Sequence, residues 1–318
     1  MSALSSLHGV FADLPELVAL RLRAGQLARI ERHRSADLMS GPHASPFRGR
    51  GMEYAESRPY AAGDDVRHID WRVTARSGRT HTKLFQPERE RITALVYDSS
   101  PNMAFGTRTC FKSVQAARLG ALMTWAALDE GDRLAASVCG RTREVVAPLG
   151  ARRGALRTLD ALVRWQRPAT SSASVATLAG ALDALRRVLR PGSHVLLLID
   201  PRSVDADAER SLAHLRVHHD LAACVLADAL EMTPPKPARY RIQSDDGTSA
   251  TLQLDDRHAR EAWSEHFDLQ HAVALERLRR AGARARLTLT HEDPVHALRE
   301  LLSGVAPRSR EPDVARSA

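Results

Sequence analysis

The sequence has few cysteines: Cys110, Cys139 and Cys224 stand too far apart for any C-x-x-C pair. That spacing indicates neither a zinc knuckle nor a disulfide framework, and free thiols in a reducing compartment are expected. No apolar signal-peptide core follows the first methionine, and the longest purely aliphatic run, VLLLI at 195–199, falls far short of a bilayer span. A cytoplasmic chain without transmembrane segments is expected, any membrane association being peripheral. There is no G-x-x-x-x-G-K-[ST] loop, hence no reason to expect ATP binding by this chain. Aromatic residues make up 4% of the chain and no nucleic-acid-binding motif is present, so a basic nucleic-acid module ranks as an alternative only. No internal repeat is found.

What is present is a globular composition. The chain has 318 residues, 43% of them hydrophobic, enough to bury a sizeable core in one large domain or two smaller ones. Basic residues exceed acidic ones by 46 to 38, a formal +8 that suits nucleic acid, anionic lipid or an acidic protein partner without choosing among them.

Residues 14–34 place Leu17, Leu20, Ala24, Leu27 and Ile30 at helical spacing, with Arg21, Arg23, Arg29, Arg32 and Arg34 around them. The apolar face carries no Trp or Phe, so docking on the body of the protein is expected before a membrane surface. Residues 35–52, rich in Gly, Pro, Ser and Arg, are expected as a loop or arm that closes an N-terminal region over 1–52. Residues 53–91 carry turn signals at AAGDD and ARSGRT between strand-like pieces, which predicts a small β subdomain or a pair of hairpins.

From Ile92 the pattern alternates. ITALVYD at 92–98, RLAASVCG and REVVAPLG around Gly140, HVLLLID at 194–200, DLAACVLAD at 220–228 and ARLTLT near 284–289 are predicted strands. Helices are expected over a stretch with Phe111, Val114, Ala117, Ala121, Trp125 and Leu128 on one face, and at 151–165, about 175–189, about 256–281 and about 295–302. RYRIQSDDGTSATLQL is predicted to be a hairpin turning at Asp-Asp-Gly. Together these elements predict a doubly wound, mostly parallel α/β sheet over 92–304, followed by a disordered tail over 305–318.

Functional groups gather at the carboxyl ends of strands in such sheets. Asp98, Ser100 and Asn102 alternate along the loop after the first of these strands, and Asp200 ends a later one. Two readings of the loop stand side by side. Hard oxygen donors suit Mg²⁺ or Mn²⁺, with Ca²⁺ third; alternatively Asp98 and Ser100 cap the helix expected after Gly106.

The run Asp98-Ser99-Ser100-Pro101-Asn102, followed by MAFG, resembles the D-x-S-x-S metal-ion-dependent adhesion motif of von Willebrand factor A domains. Asn102 stands where that motif has its second serine. The resemblance implies a single-cation shell of Asp98, Ser100, Asn102, Asp200 and a threonine from another loop, for which Thr177 is the nearest match and Ser174 the runner-up. Such a site leaves one coordination position for a partner's carboxylate, which implies binding and not necessarily chemistry.

The segment from Ser57 to Arg91 carries a second resemblance. Arg58, Tyr60, Gly63, Asp64, Asp65, Arg67, Ile69, Asp70, Trp71, Arg72, Ala75 and Arg76 stand in the spacing of the domain-of-unknown-function family 58, whose members join such a segment to a von Willebrand factor A-like domain. The likeness runs over roughly residues 20–300. It implies a non-enzymatic adaptor working with a MoxR-class AAA+ ATPase in chaperone-like assembly or maturation of client complexes. From the residues themselves, Gly63 is expected to turn the chain with help from Asp64 and Asp65. Asp70 is expected to pair with Arg67, Arg72 or Arg76, and Ile69 and Trp71 to share a strand face. His68 and Asp70 as an acid/base pair, and a metal-dependent hydrolase in general, remain alternatives.

Overall fold

A computed structural model describes residues 9–27, 52–61, 63–87, 91–167, 176–243 and 249–303. Ile30, most of the arm over 35–52, Ser174, the Asp-Asp-Gly turn and the tail lie outside them. The chain forms two compact units, one of residues 1–37 and 91–318, the other of residues 38–90.

The larger unit is built on a sheet of six strands: β3 (Ile92–Asp98), β4 (Arg133–Cys139), β5 (Glu144–Leu149), β6 (His194–Ile199), β7 (Asp220–Ala227) and β10 (Arg284–Leu289). They stand in the order β10-β7-β6-β3-β4-β5. All neighbouring pairs are parallel except β4 and β5, the hairpin expected around Gly140. The chain runs outward from β3 through β4 and β5, then returns to lay β6, β7 and β10 on the other side. The switch of direction falls between β3 and β6.

The strands are apolar on both faces because helices cover both. Leu95, Tyr97, Leu196, Leu198, Cys224 and Leu226 belong to one core, packed with α1 (Leu14–Ala19), α4 (Lys112–Asp129), α5 (Ala151–Trp165) and α10 (Pro294–Ser303). Their sequence neighbours Ala94, Val96, Val195, Leu197, Ala223 and Val225 belong to the other, packed with α6 (Leu178–Arg186), α7 (Ala206–Arg216) and α9 (Arg257–Arg280). The period-two alternation of a strand thus feeds two cores at once. A short α8 (Ala229–Met232) follows β7, and β8 (Arg239–Gln243) pairs antiparallel with β9 (Ser249–Gln253) as the hairpin signal predicts.

The N-terminal helix is broken at Leu20, giving α1 and a second helical stretch, α2 (residues 21–27). Leu17, Ala24 and Leu27 are fully buried, Trp125 donates its indole N–H to the Leu17 carbonyl at 2.9 Å, and Arg118 pairs with Glu16 at 2.6 Å. The apolar face is spent on the protein's own body. Among the described residues, no helix is long and apolar enough to cross a membrane.

The smaller unit corrects two expectations. It holds one antiparallel pair, β1 (Met52–Pro59) with β2 (His81–Pro87), and between them a 3-10 turn at Val66–His68 and a helix, α3 (Trp71–Ser77). Trp71 therefore opens a helix and shares no strand face with Ile69, which makes only an isolated bridge to Thr82. Asp70 pairs with none of the three arginines. It caps α3, accepting from the backbone amides of Arg72 and Val73 at 3.2 and 3.1 Å, and it takes the Ser57 hydroxyl at 2.8 Å. A cap satisfies otherwise orphaned amides, a demand no guanidinium can meet. Gly63 does turn the chain, with φ at +105°; Asp64 accepts from the Ala61 amide and from Arg58, and Asp65 from the Arg67 amide.

Candidate functional site

Three adjacent strands, β3, β6 and β7, each run into an aspartate: Asp98, Asp200 and Asp228. Asp98 and Asp200 flank the point where strand order reverses, the usual place for a site in a doubly wound sheet. All three are buried.

Asp98 is held by its neighbours. Its Oδ1 accepts from the Ser100 amide at 2.7 Å, and its Oδ2 from the Asp200 amide at 3.1 Å and the Ser203 hydroxyl at 2.5 Å. Burial pushes its carboxyl above the usual range, against the downward pull of Ser203, Ser100 and Asp200.

Asp200 accepts the Arg202 amide on Oδ1 at 3.0 Å and the Lys112 ammonium on Oδ2 at 2.7 Å. Lys112 is 1% exposed and also donates to Glu231 Oε1 at 2.8 Å. The other Glu231 oxygen accepts the Asp228 amide at 2.8 Å, closing a capping box on α8. Asp228 takes the Thr107 hydroxyl and the Leu230 amide on Oδ1, and the Thr107 amide and the Thr290 hydroxyl on Oδ2. Burial raises its proton affinity, yet the bonds from Thr107, Leu230 and Thr290 outweigh it and hold the carboxyl below the usual range. Every carboxylate oxygen of this cluster has a donor from the protein.

The residues expected as a cation shell are therefore only partly brought together. Asp98, Ser100 and Asp200 converge. Asn102 turns its Oδ1 to the Arg202 guanidinium at 3.0 Å. Thr177 caps α6, accepting from the Gly180 amide at 3.1 Å, while the preceding Ala176 bridges Gly140 in the β4–β5 turn. Ser100 Oγ is a buried oxygen with no hydrogen-bond partner. As folded, this donor set does not fit a divalent cation: one neutral hydroxyl is open, and an ion would have to displace the Lys112 or Arg202 cation from its acceptor. The capping alternative is not met either: Asp98 takes the Ser100 amide within the loop, Ser100 makes no side-chain cap, and the long helix starts at Lys112 behind Phe111 rather than after Gly106.

Lys112, Ser203, Asp228 and Glu231 carry no motif in the sequence. The one available signal was the aspartate that ends each of three apolar strands.

In the smaller unit, Asp64, Asp65 and Asp70 are all spent on local bonds. Arg67, Arg72, Arg76 and Arg79 are exposed and pair with no carboxylate among the described residues. Trp71 beside them is 71% exposed, and Val66 is exposed too.

With this geometry in place, comparison with known proteins gives three results. A family model described as "Protein of unknown function DUF58" matches residues 56–273. The chain is 28% identical over 241 residues to uncharacterized protein Rv1480 of Mycobacterium tuberculosis, covering 74% of this chain and 75% of that one, and equally to uncharacterized protein Mb1516 of Mycobacterium bovis. Among solved structures, a von Willebrand factor type A protein from Catenulispora acidiphila aligns with a TM-score of 0.37 and 14% identity, over 70% of this chain and 44% of that one. BatB from Bacteroides thetaiotaomicron aligns at 0.35 and 13%, over 60% and 99%.

Proposed function

The chain belongs to the DUF58 family, and from that premise we propose that it is a non-enzymatic protein-interaction module, an adaptor for a MoxR-class AAA+ ATPase in assembly or maturation of client complexes. The observation that carries the proposal is the exposed face of residues 66–79. An indole that is 71% exposed stands on a helix whose arginines have no acidic partner among the described residues. Solvent-exposed tryptophan beside arginine is the composition of interface hot spots: the indole gains when a partner covers it, and the guanidinium gains where that partner supplies a carboxylate. The matching surface is acidic with an apolar recess for the indole. The ATPase itself enters from the family resemblance, and a cytoplasmic setting goes with it.

Support also comes from the strand-end cluster. A hydrolase needs a carboxylate free to orient water or an ion, whereas each oxygen of Asp98, Asp200, Asp228 and Glu231 is engaged by a protein donor.

The test is a sedimentation experiment with the full chain and a MoxR-class ATPase from the same organism. A complex that survives chelator, and that weakens at least tenfold in Trp71→Ala and in Arg72→Glu/Arg76→Glu, is expected. No complex, or one indifferent to these changes, refutes the proposal. Tight, steeply salt-dependent binding of a single-stranded oligonucleotide by the same face would put nucleic acid in the partner's place.

A further inference from the structure

We propose that the Lys112 ammonium is the resident cation of the strand-end site, a covalently held charge standing where an adhesion-type site would take a divalent ion, so that the wild-type chain works without metal there. Lys112 opens α4, with Nζ 2.7 Å from Asp200 and 2.8 Å from Glu231 and the Phe105 ring 5.8 Å away. The first turn of a helix is the wrong end for a cation, because its free amides already concentrate positive charge. Burial of an ammonium is far more unfavourable still unless it is paired and hydrogen-bonded. Only the two carboxylates account for the position. They come from the end of β6 and from α8, 88 and 119 residues away.

Residue type supports the same conclusion. Lys112 is one of three lysines, with Lys83 and Lys236, among the 46 basic residues of the chain. In a sequence that otherwise uses arginine, a compact ammonium sits enclosed at the strand ends, where arginine's planar fork would bring more donors than two carboxylate oxygens can accept. The rest of the expected shell is engaged elsewhere: Asn102 faces a second cation, Arg202, and Thr177 caps a helix. A divalent ion entering here would approach two fixed positive groups with Ser100 Oγ as its one open ligand.

The experiment titrates the wild-type chain calorimetrically with Mg²⁺ and with Mn²⁺, and melts it in chelator and in each metal. No saturable heat and superimposable melts are expected up to millimolar metal. Saturable binding that Asp98→Asn abolishes overturns the proposal.

Lys112→Met supplies the second arm. It leaves Asp200 and Glu231 buried without their cation, and its melting temperature is expected to fall by roughly 10 °C. Mn²⁺ should then raise the melting temperature of the variant and leave that of the wild type unchanged. A variant as stable as wild type, an equal rise in both proteins, or no rise in the variant counts against the ammonium's role. If the variant does not fold, the wild-type titration decides alone. None of these outcomes depends on the adaptor's partner.

Discussion

Gly140 is packed so tightly against Ser100 that a Cβ on it would lie 2.3 Å from the Ser100 amide nitrogen. It also has φ at +93° and exchanges backbone hydrogen bonds with Ala176 at 2.7 and 2.9 Å. One glycine thus joins the β4–β5 turn, the loop after β3 and the loop before α6. Gly140→Ala should cost about 4 kcal/mol, combining left-handed strain with a backbone clash that no rotamer relieves. Gly131→Ala is the control: its φ is +81° but nothing lies within 4 Å of the added carbon, so a loss of about 1 kcal/mol is expected. Urea unfolding of both variants checks the difference. Equal losses would show that the close approach to Ser100 does not matter.

At Asp98 two effects oppose each other. A neutral side chain removes the burden of an ionised carboxyl in a buried place, yet three donors converge on it from both sides. Asparagine cannot accept at both ends, so its NH₂ must face either the Ser100 amide or the Asp200 and Ser203 donors. The lost acceptor wins: Asp98→Asn should destabilise by about 2 kcal/mol, and Asp98→Ala, which orphans all three donors, by about 4 kcal/mol. Unfolding midpoints measure both, and an asparagine variant at wild-type stability would mean that the carboxylate charge is a net cost.

Strands and helices of the larger unit were legible because hydrophobic period and strand order agree. HVLLLID and DLAACVLAD cannot face water on either side, and the structure gives them helices on both. The smaller unit was misread for a local reason. Trp71 and Val73 favour strands, and their pull hid the aspartate that caps a helix at Asp70. At the site, Asp98 and Asp200 were legible as ends of apolar strands. Lys112 was not, since a lysine opening an amphipathic helix reads as solvated, and only the fold brings Asp200 and Glu231 to it. Nor could sequence show that Asn102 faces Arg202, because that depends on how two loops meet at the switch point.

His271 and His219 set an acid limit on stability. Burial lowers the proton affinity of both; for His271 the nearby Glu231, Asp268 and Asp200 oppose this and Lys112 adds to it, while for His219 the neighbouring His218 adds to it. Above the ordinary histidine value of 6.5, both rings are neutral folded and unfolded, and stability should be flat with pH. Below it the unfolded chain takes up protons that the folded chain refuses, so stability falls. Asp98 acts in the opposite sense: burial raises its folded value, so it adds stability as pH falls through that raised value toward 3.8, one group set against two histidines. Denaturation midpoints at about pH 7.5 and about pH 5.5 should therefore decline toward acid. His271→Phe, which keeps the ring beside Phe267, should flatten part of that slope. A profile unchanged by His271→Phe would assign the decline to other groups.

Under the proposed function, Trp71 separates folding from recognition. Its indole is 71% exposed, and the α3 cap depends on the Asp70 carboxyl and two backbone amides, none of which Trp71→Ala removes. Alanine also has the higher helix propensity, so stability should stay within about 0.5 kcal/mol of wild type. Substituting Ser57 by Ala instead removes the hydroxyl that holds the far side of the Asp70 carboxyl, and should lower stability while leaving the exposed face chemically intact. The two variants are expected to cross over. Trp71→Ala should melt like wild type and lose the ATPase, and Ser57→Ala should melt earlier and, well below its melting temperature, still bind. If Trp71→Ala melts early as well, the indole has a structural role and its effect on binding no longer locates the contact.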